Sequence, residues 1–129
     1  MKLGYTILYV EDVPATLAAW RDAFALTVAY THEDGIYGEL ETGETTLAFA
    51  EVEFGRSHFD DPAARAMFDG PPRRFEIGLV TEDVHAAHNR ALAAGMRDVR
   101  APFEQPWGQT VCWVSDANGI LVELSSPMT

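Results

Sequence analysis

Apolar positions change their period along this chain. Residues 5–10 read YTILYV, a short run of β-branched and aromatic residues that predicts a strand. Beyond it, Leu17, Trp20, Ala23 and Phe24 recur at i, i+3 and i+4 spacing. That predicts a helix with Asp12 as its N-cap and Pro14 in its first turn, where a missing N–H does no harm. It should end near Leu26. Strands are expected at 27–32, 36–41 and 45–52, separated by turns at Glu33-Asp34-Gly35 and Thr42-Gly43-Glu44. The same order then returns. A strand is expected at 75–80, and Asp83 should cap a helix running to about Ala94, with Gly95 just past its end. Strands follow at 98–101, 110–114 and 120–125, and Asp116-Ala117-Asn118-Gly119 forms a turn before the last.

The tripeptide Glu11-Asp12-Val13 recurs as Glu82-Asp83-Val84, each time between an apolar run and an Ala-rich helical stretch. One βαβββ unit therefore looks to be used twice. The boundaries this implies are module one at 1–53, a linker at 54–74 with a short helix at 61–68, and module two at 75–129, together one domain. Alternation within the strands sorts the residues into two faces. Leu8, Val10, Leu47, Phe49, Ile77, Leu79, Val122 and Leu124 are uniformly apolar and should lie under the helices. Tyr5, Ile7, Tyr9, Thr46, Ala48, Ala50, Glu76, Gly78, Val80, Leu121, Glu123 and Ser125 are mixed and should line a partly wet surface. Helices on one side and small, aromatic and acidic residues on the other suit a curved binding surface. They equally suit a face packed against a second chain.

Composition narrows the partners. The 129 residues are 47% hydrophobic and 22% charged, as expected of a globular domain. Twenty acids against nine bases give a net charge of −11, the wrong sign for nucleic acid. No apolar run is long enough for a membrane helix, and residues 1–6 lack the apolar stretch of a signal peptide, so a cytoplasmic location is expected. The single cysteine, Cys112, lies in the apolar run TVCWV and reads as a buried inert thiol rather than a nucleophile.

At this point the chain resembles the vicinal oxygen chelate superfamily, which includes glyoxalase I, extradiol dioxygenases and the fosfomycin- and bleomycin-resistance proteins. The likeness rests on the repeated strand, Glu-Asp-Val and helix opening, on the ending from Asp116 to Leu124, and on Pro106-Trp107-Gly108-Gln109 ahead of it. It implies an α+β fold of two βαβββ modules paired into a curved, barrel-like cup, and a homodimer. It also implies a four-position ligand set for a divalent ion. Carried onto this sequence, those positions are Tyr5, Ala48, Glu76 and Glu123. Two carboxylates, a phenol and a methyl are a poor set for a Lewis-acid site, which needs about three ligands and an open position. No metal or other cofactor is therefore favoured, and Glu76 and Glu123 are the ligands if a divalent metal is bound. His32, His58, His85 and His88 fall at none of the positions and read as surface or loop residues.

Without metal, Glu76 and Glu123 could attract a cation, hydrogen-bond a ligand, or act as acid and base if crowding raises one of them. The alternatives are a hydrogen bond from a neighbouring Tyr or from backbone for Glu76, and a pairing with Arg or water for Glu123. Trp107, Tyr9, Tyr37, Trp113 and Tyr5 are the aromatic candidates for contact with a flat ligand, against ordinary packing. Three functions stay open. The first is a metal-independent binder sequestering an aromatic or cationic small molecule. The second is a metal-dependent lyase, isomerase or dioxygenase, and the third an interaction module whose mixed face is a dimer seam. The first is the expectation taken forward.

Overall fold

The computed structural model describes residues 1–128 of the 129. The elements are β1 (Tyr5–Val10), α1 (Val13–Phe24), β2 (Val28–Thr31), β3 (Tyr37–Leu40), β4 (Thr46–Glu51), α2 (Val52–Arg56), α3 (Pro62–Ala66), β5 (Ile77–Val80), α4 (Val84–Ala93), β6 (Arg97–Glu104), β7 (Thr110–Ser115) and β8 (Leu121–Ser125). The two helix starts are built alike. Asp12 and Asp83 sit in extended backbone, at φ −132° and −131°, and each carboxylate accepts a 3.0 Å bond from the N–H three residues on, Ala15 and Ala86. That satisfies one of the orphan donors at a helix start. The helix ends differ. α4 closes with Gly95 at φ 97°, with Gly95 N–H bonded to Leu92 and Met96 N–H to Ala91, a Schellman motif. α1 closes on Ala25 at φ 56°, where an L side chain is strained.

The chain forms two compact units, residues 1–21 with 25–70 and residues 22–24 with 71–129. The first holds a four-stranded sheet ordered β1-β4-β3-β2, the second one ordered β5-β8-β7-β6. In each, the outer pair across the helix crossover is parallel and the rest is antiparallel. The βαβββ duplication is thus present, but the barrel-like cup is not. Both sheets are open, and no strand of one is hydrogen-bonded to a strand of the other among the described residues. A barrel needs its edge strands to pair. Alternation along a strand reports which face is covered and carries no information about whether edges meet, so closure was never legible from it.

Face assignment fares better. Leu8, Val10, Leu47, Phe49, Val122 and Leu124 are buried, and Ile77 and Leu79, on edge strand β5, half-buried. In the first unit Trp20 of α1 meets Phe49 edge-on at 5.0 Å. Gly38 lets Leu17 come so close that an added Cβ would lie 2.3 Å from it. In the second, α4 rests on β6, β7 and β8. Here His88 is a correction to the surface expectation. It is buried, and its Nε2 lies 3.1 Å from Asp98 Oδ1. β6 is also longer than expected, reaching Glu104. The linker begins with α2, which the sequence pattern did not announce, and α3 is shorter than the expected helix.

Candidate functional site

In the first unit the mixed face has Tyr5, Ile7 and Tyr9 on β1, Ala48 and Ala50 on β4, Tyr37 and Glu39 on β3, and Tyr30 on β2. Register places Ala48 between Ile7 and Glu39, and Ala50 between Tyr9 and Tyr37. Both alanines are fully covered by these larger neighbours. Tyr37 donates a 2.6 Å bond to the Glu39 carboxylate, and burial, followed by that bond, pushes its phenol well above the ordinary range. The phenol is thus a fixed donor. Tyr30 leans on Tyr37 at 6.2 Å, and Tyr5 is largely exposed. Tyr9 makes an edge-on contact with Phe68 at 4.7 Å, over Gly55, so its ring is engaged by the linker helices. Glu39 escaped the sequence reading. The signal was present, a glutamate on a short strand beside a tyrosine at i−2, but it matched no position of the family pattern.

The linker helices have their own concavity of about 510 Å³, lined by Arg56, Asp60, Pro62, Arg65, Ala66 and Asp69. Both arginines of the lining are engaged locally. Arg56 is tied to Glu53 and, at 2.7 Å, to Asp69, while Arg65 donates to the carbonyls of Arg56 and Phe59.

The second unit brings together three residues expected from sequence. Glu123 on β8 lies in register between Gly78 on β5 and Trp113 on β7. Gly78 carries no side chain to cover it, and Glu123 is partly exposed. Glu76, just before β5, accepts a 2.7 Å bond from the Trp113 indole N–H. Burial pushes the Glu123 carboxyl above the ordinary range, and the charge of Glu76 and a hydrogen bond to it push in the same direction. Two carboxyl groups beside one indole on the open face make a place where positive charge is favoured. Trp113 in turn stacks on Phe103 at 6.0 Å and 30°. Trp107 stands apart at the tip of the β6–β7 hairpin, where Gly108 at φ 94° completes the turn, and its indole bonds Gln109. It is exposed and touches none of the other candidates in the contacts seen.

The four family positions do not fit a metal ion as a set. Ala48 offers no donor, one oxygen of Glu76 is taken by Trp113, and no three His, Cys, Asp or Glu side chains converge among the described residues. Cys112, on the helix side of β7, is fully buried, and its thiol is pushed up to about 11 chiefly by that burial. Asp116 accepts the N–H groups of Asn118 and Ile120, so the Asp-Ala-Asn-Gly segment is turn chemistry. No helix of the described residues is long and apolar enough to cross a membrane.

The pattern of the Glyoxalase/Bleomycin resistance protein/Dioxygenase superfamily matches residues 2–124. Among solved structures, a glyoxalase/bleomycin resistance protein/dioxygenase family enzyme from Burkholderia phytofirmans PsJN superposes with a TM-score of 0.82 at 18% identity, covering 99% of this chain and 100% of that one. A glyoxalase-related enzyme from Fulvimarina pelagi gives 0.83 at 15%, covering 98% and 88%. A lactoylglutathione lyase from Agrobacterium tumefaciens gives 0.73 at 20%, covering 97% and 92%. At these identities the superpositions speak for the fold.

Proposed function

The chain belongs to the Glyoxalase/Bleomycin resistance protein/Dioxygenase superfamily, and from that premise we propose that it binds a small aromatic or cationic molecule without a metal ion and without converting it. The observation that carries this is the Glu76–Glu123 pair set against the Trp113 indole on the open face of the second sheet. Two neighbouring carboxyl groups mark a place where positive charge is favoured. An ammonium or amidinium placed there gains two carboxylates, while the ring it carries lies on Trp113 and Phe103. The depleted family ligand set supports binding over metal chemistry. The activity named for the lactoylglutathione lyase stays with that protein, because one fold hosts many chemistries.

The test is calorimetric titration of the metal-stripped protein with benzylamine, which carries one ring and one cation. Saturable binding at one per chain, lost in Glu76→Gln/Glu123→Gln, is the expected result. A melting temperature that responds to no flat cation, or binding that ignores both glutamates, would overturn the reading. The homodimer expected from the resemblance belongs to the same proposal and is checked by light scattering.

A further inference from the structure

Arg100 and Phe103 are three residues apart in β6, so a regular strand would send them to opposite faces. They touch instead, with the Arg100 guanidinium carbon 3.6 Å from the Phe103 ring centroid. Two irregularities in the β6–β7 ladder are the cause. Asp98 pairs with Val114, Arg100 with Trp113 and Phe103 with Val111, so in each step β6 carries one residue more than β7. The first extra residue parts Asp98 from Arg100, which would otherwise share a face. Asp98 turns to the helix side and meets His88, and Arg100 turns to the open side. The second brings Phe103 to that same side. Pro102, which has no N–H to give a ladder, lies within it. Bulges of this kind re-aim side chains.

The product is a continuous row across the open face: the Glu76 carboxylate, the Trp113 indole at 2.7 Å, the Phe103 ring stacked on it, and the Arg100 guanidinium over that ring. Glu123 sits two strands from Arg100, a separation of about 10 Å between backbones. The row is anionic at one end, cationic at the other and flat between. Among the described residues no carboxylate lies within salt-bridge distance of Arg100, so its forked donors face solvent.

We infer that Arg100 is the anion anchor of a two-ended site, and that the ligand class is a flat zwitterion, with a basic nitrogen for Glu76 and Glu123 and a carboxylate for Arg100. This rests on the reading above that the open face of the second sheet takes an aromatic cation. A planar guanidinium stacked on a ring keeps its fork oriented, which suits bidentate capture of a carboxylate better than a lysine would.

Three probes separate the ends: 4-(aminomethyl)benzoate, its methyl ester, which keeps ring and amine but no acid, and 4-methylbenzoate, which keeps ring and acid but no amine. In calorimetry at low salt the zwitterion should bind roughly tenfold tighter than the ester, the worth of one charge-assisted contact. Arg100→Gln should bring the zwitterion down to the ester's affinity and leave the ester unchanged. Arg100→Lys should recover only part of the difference. Glu76→Gln/Glu123→Gln should weaken zwitterion and ester alike. Equal binding of zwitterion and ester by the unaltered protein, with the ester still dependent on the glutamates, overturns the two-ended site and leaves the proposed function standing. So does an Arg100→Gln variant that weakens both probes equally. Absence of binding by all three probes overturns both.

Discussion

Replacing Asp98 by Ala removes the partner of a buried imidazole. His88 is only 7% exposed, and its Nε2 has Asp98 Oδ1 at 3.1 Å. A buried polar group left unsatisfied costs about 1–3 kcal/mol. Here the aspartate side chain is 45% exposed, so water can enter from its side and the lower part of that range applies, about 1–2 kcal/mol. For a domain of this size that corresponds to a fall in Tm of about 4–8 °C. The assay is urea denaturation of four proteins: unaltered, Asp98→Ala, His88→Leu and the double variant. Removing both partners leaves nothing orphaned, so the double variant should be less destabilised than the two single costs added together, by about 1 kcal/mol. Strict additivity, or an Asp98→Ala cost below about 0.3 kcal/mol, would refute the claim that this bond holds the first bulge of β6 to α4.

The Glu123 carboxyl is raised in the folded state, so folding takes up a proton as pH rises out of the ordinary glutamate range and stability falls until the folded group has ionised. Glu123→Gln should remove that fall, making the variant the more stable protein at neutral pH and its equal in acid; a variant less stable at neutral pH would contradict the assignment. Gly38→Ala should cost about 1–3 kcal/mol because its Cβ meets Leu17 in the core, whereas Gly78→Ala, with open space around it, should stay within about 0.5 kcal/mol; similar costs by thermal melts would undo the packing argument. Cys112 should react with a thiol reagent at neutral pH only at the rate of unfolding, given its burial and a thiol near 11, and rapid labelling of native protein would show the strand to be open.

Legibility in the sequence followed the range of the interaction. The two aspartate caps, the Gly95 helix end and the Asp116–Gly119 turn are local, three or four residues deep, and each formed where the residue types required it. The covered face followed from strand parity. Glu76 and Glu123 were named from the family frame and strand parity and Trp113 as one of several aromatic candidates, and the structure brings the three side by side. Three things were hidden. Sheet closure depends on edges that parity does not describe. His88 looked like one more helix-surface histidine because its partner comes from the next strand. Arg100 lay in the strand expected at 98–101 and Phe103 beyond it, and their odd spacing gives no hint of a shared face until a bulge is known. Bulges carry little sequence signal beyond Pro102, and here one of them supplies half of the inferred ligand chemistry.

The most direct test is titration of the chelator-treated protein with benzylamine, in the unaltered chain and in Glu76→Gln/Glu123→Gln. Metal-independent saturation at one cation per chain, abolished by the double substitution, is the result predicted. Binding that appears only after a divalent ion is restored, or that survives loss of both carboxylates, would contradict it.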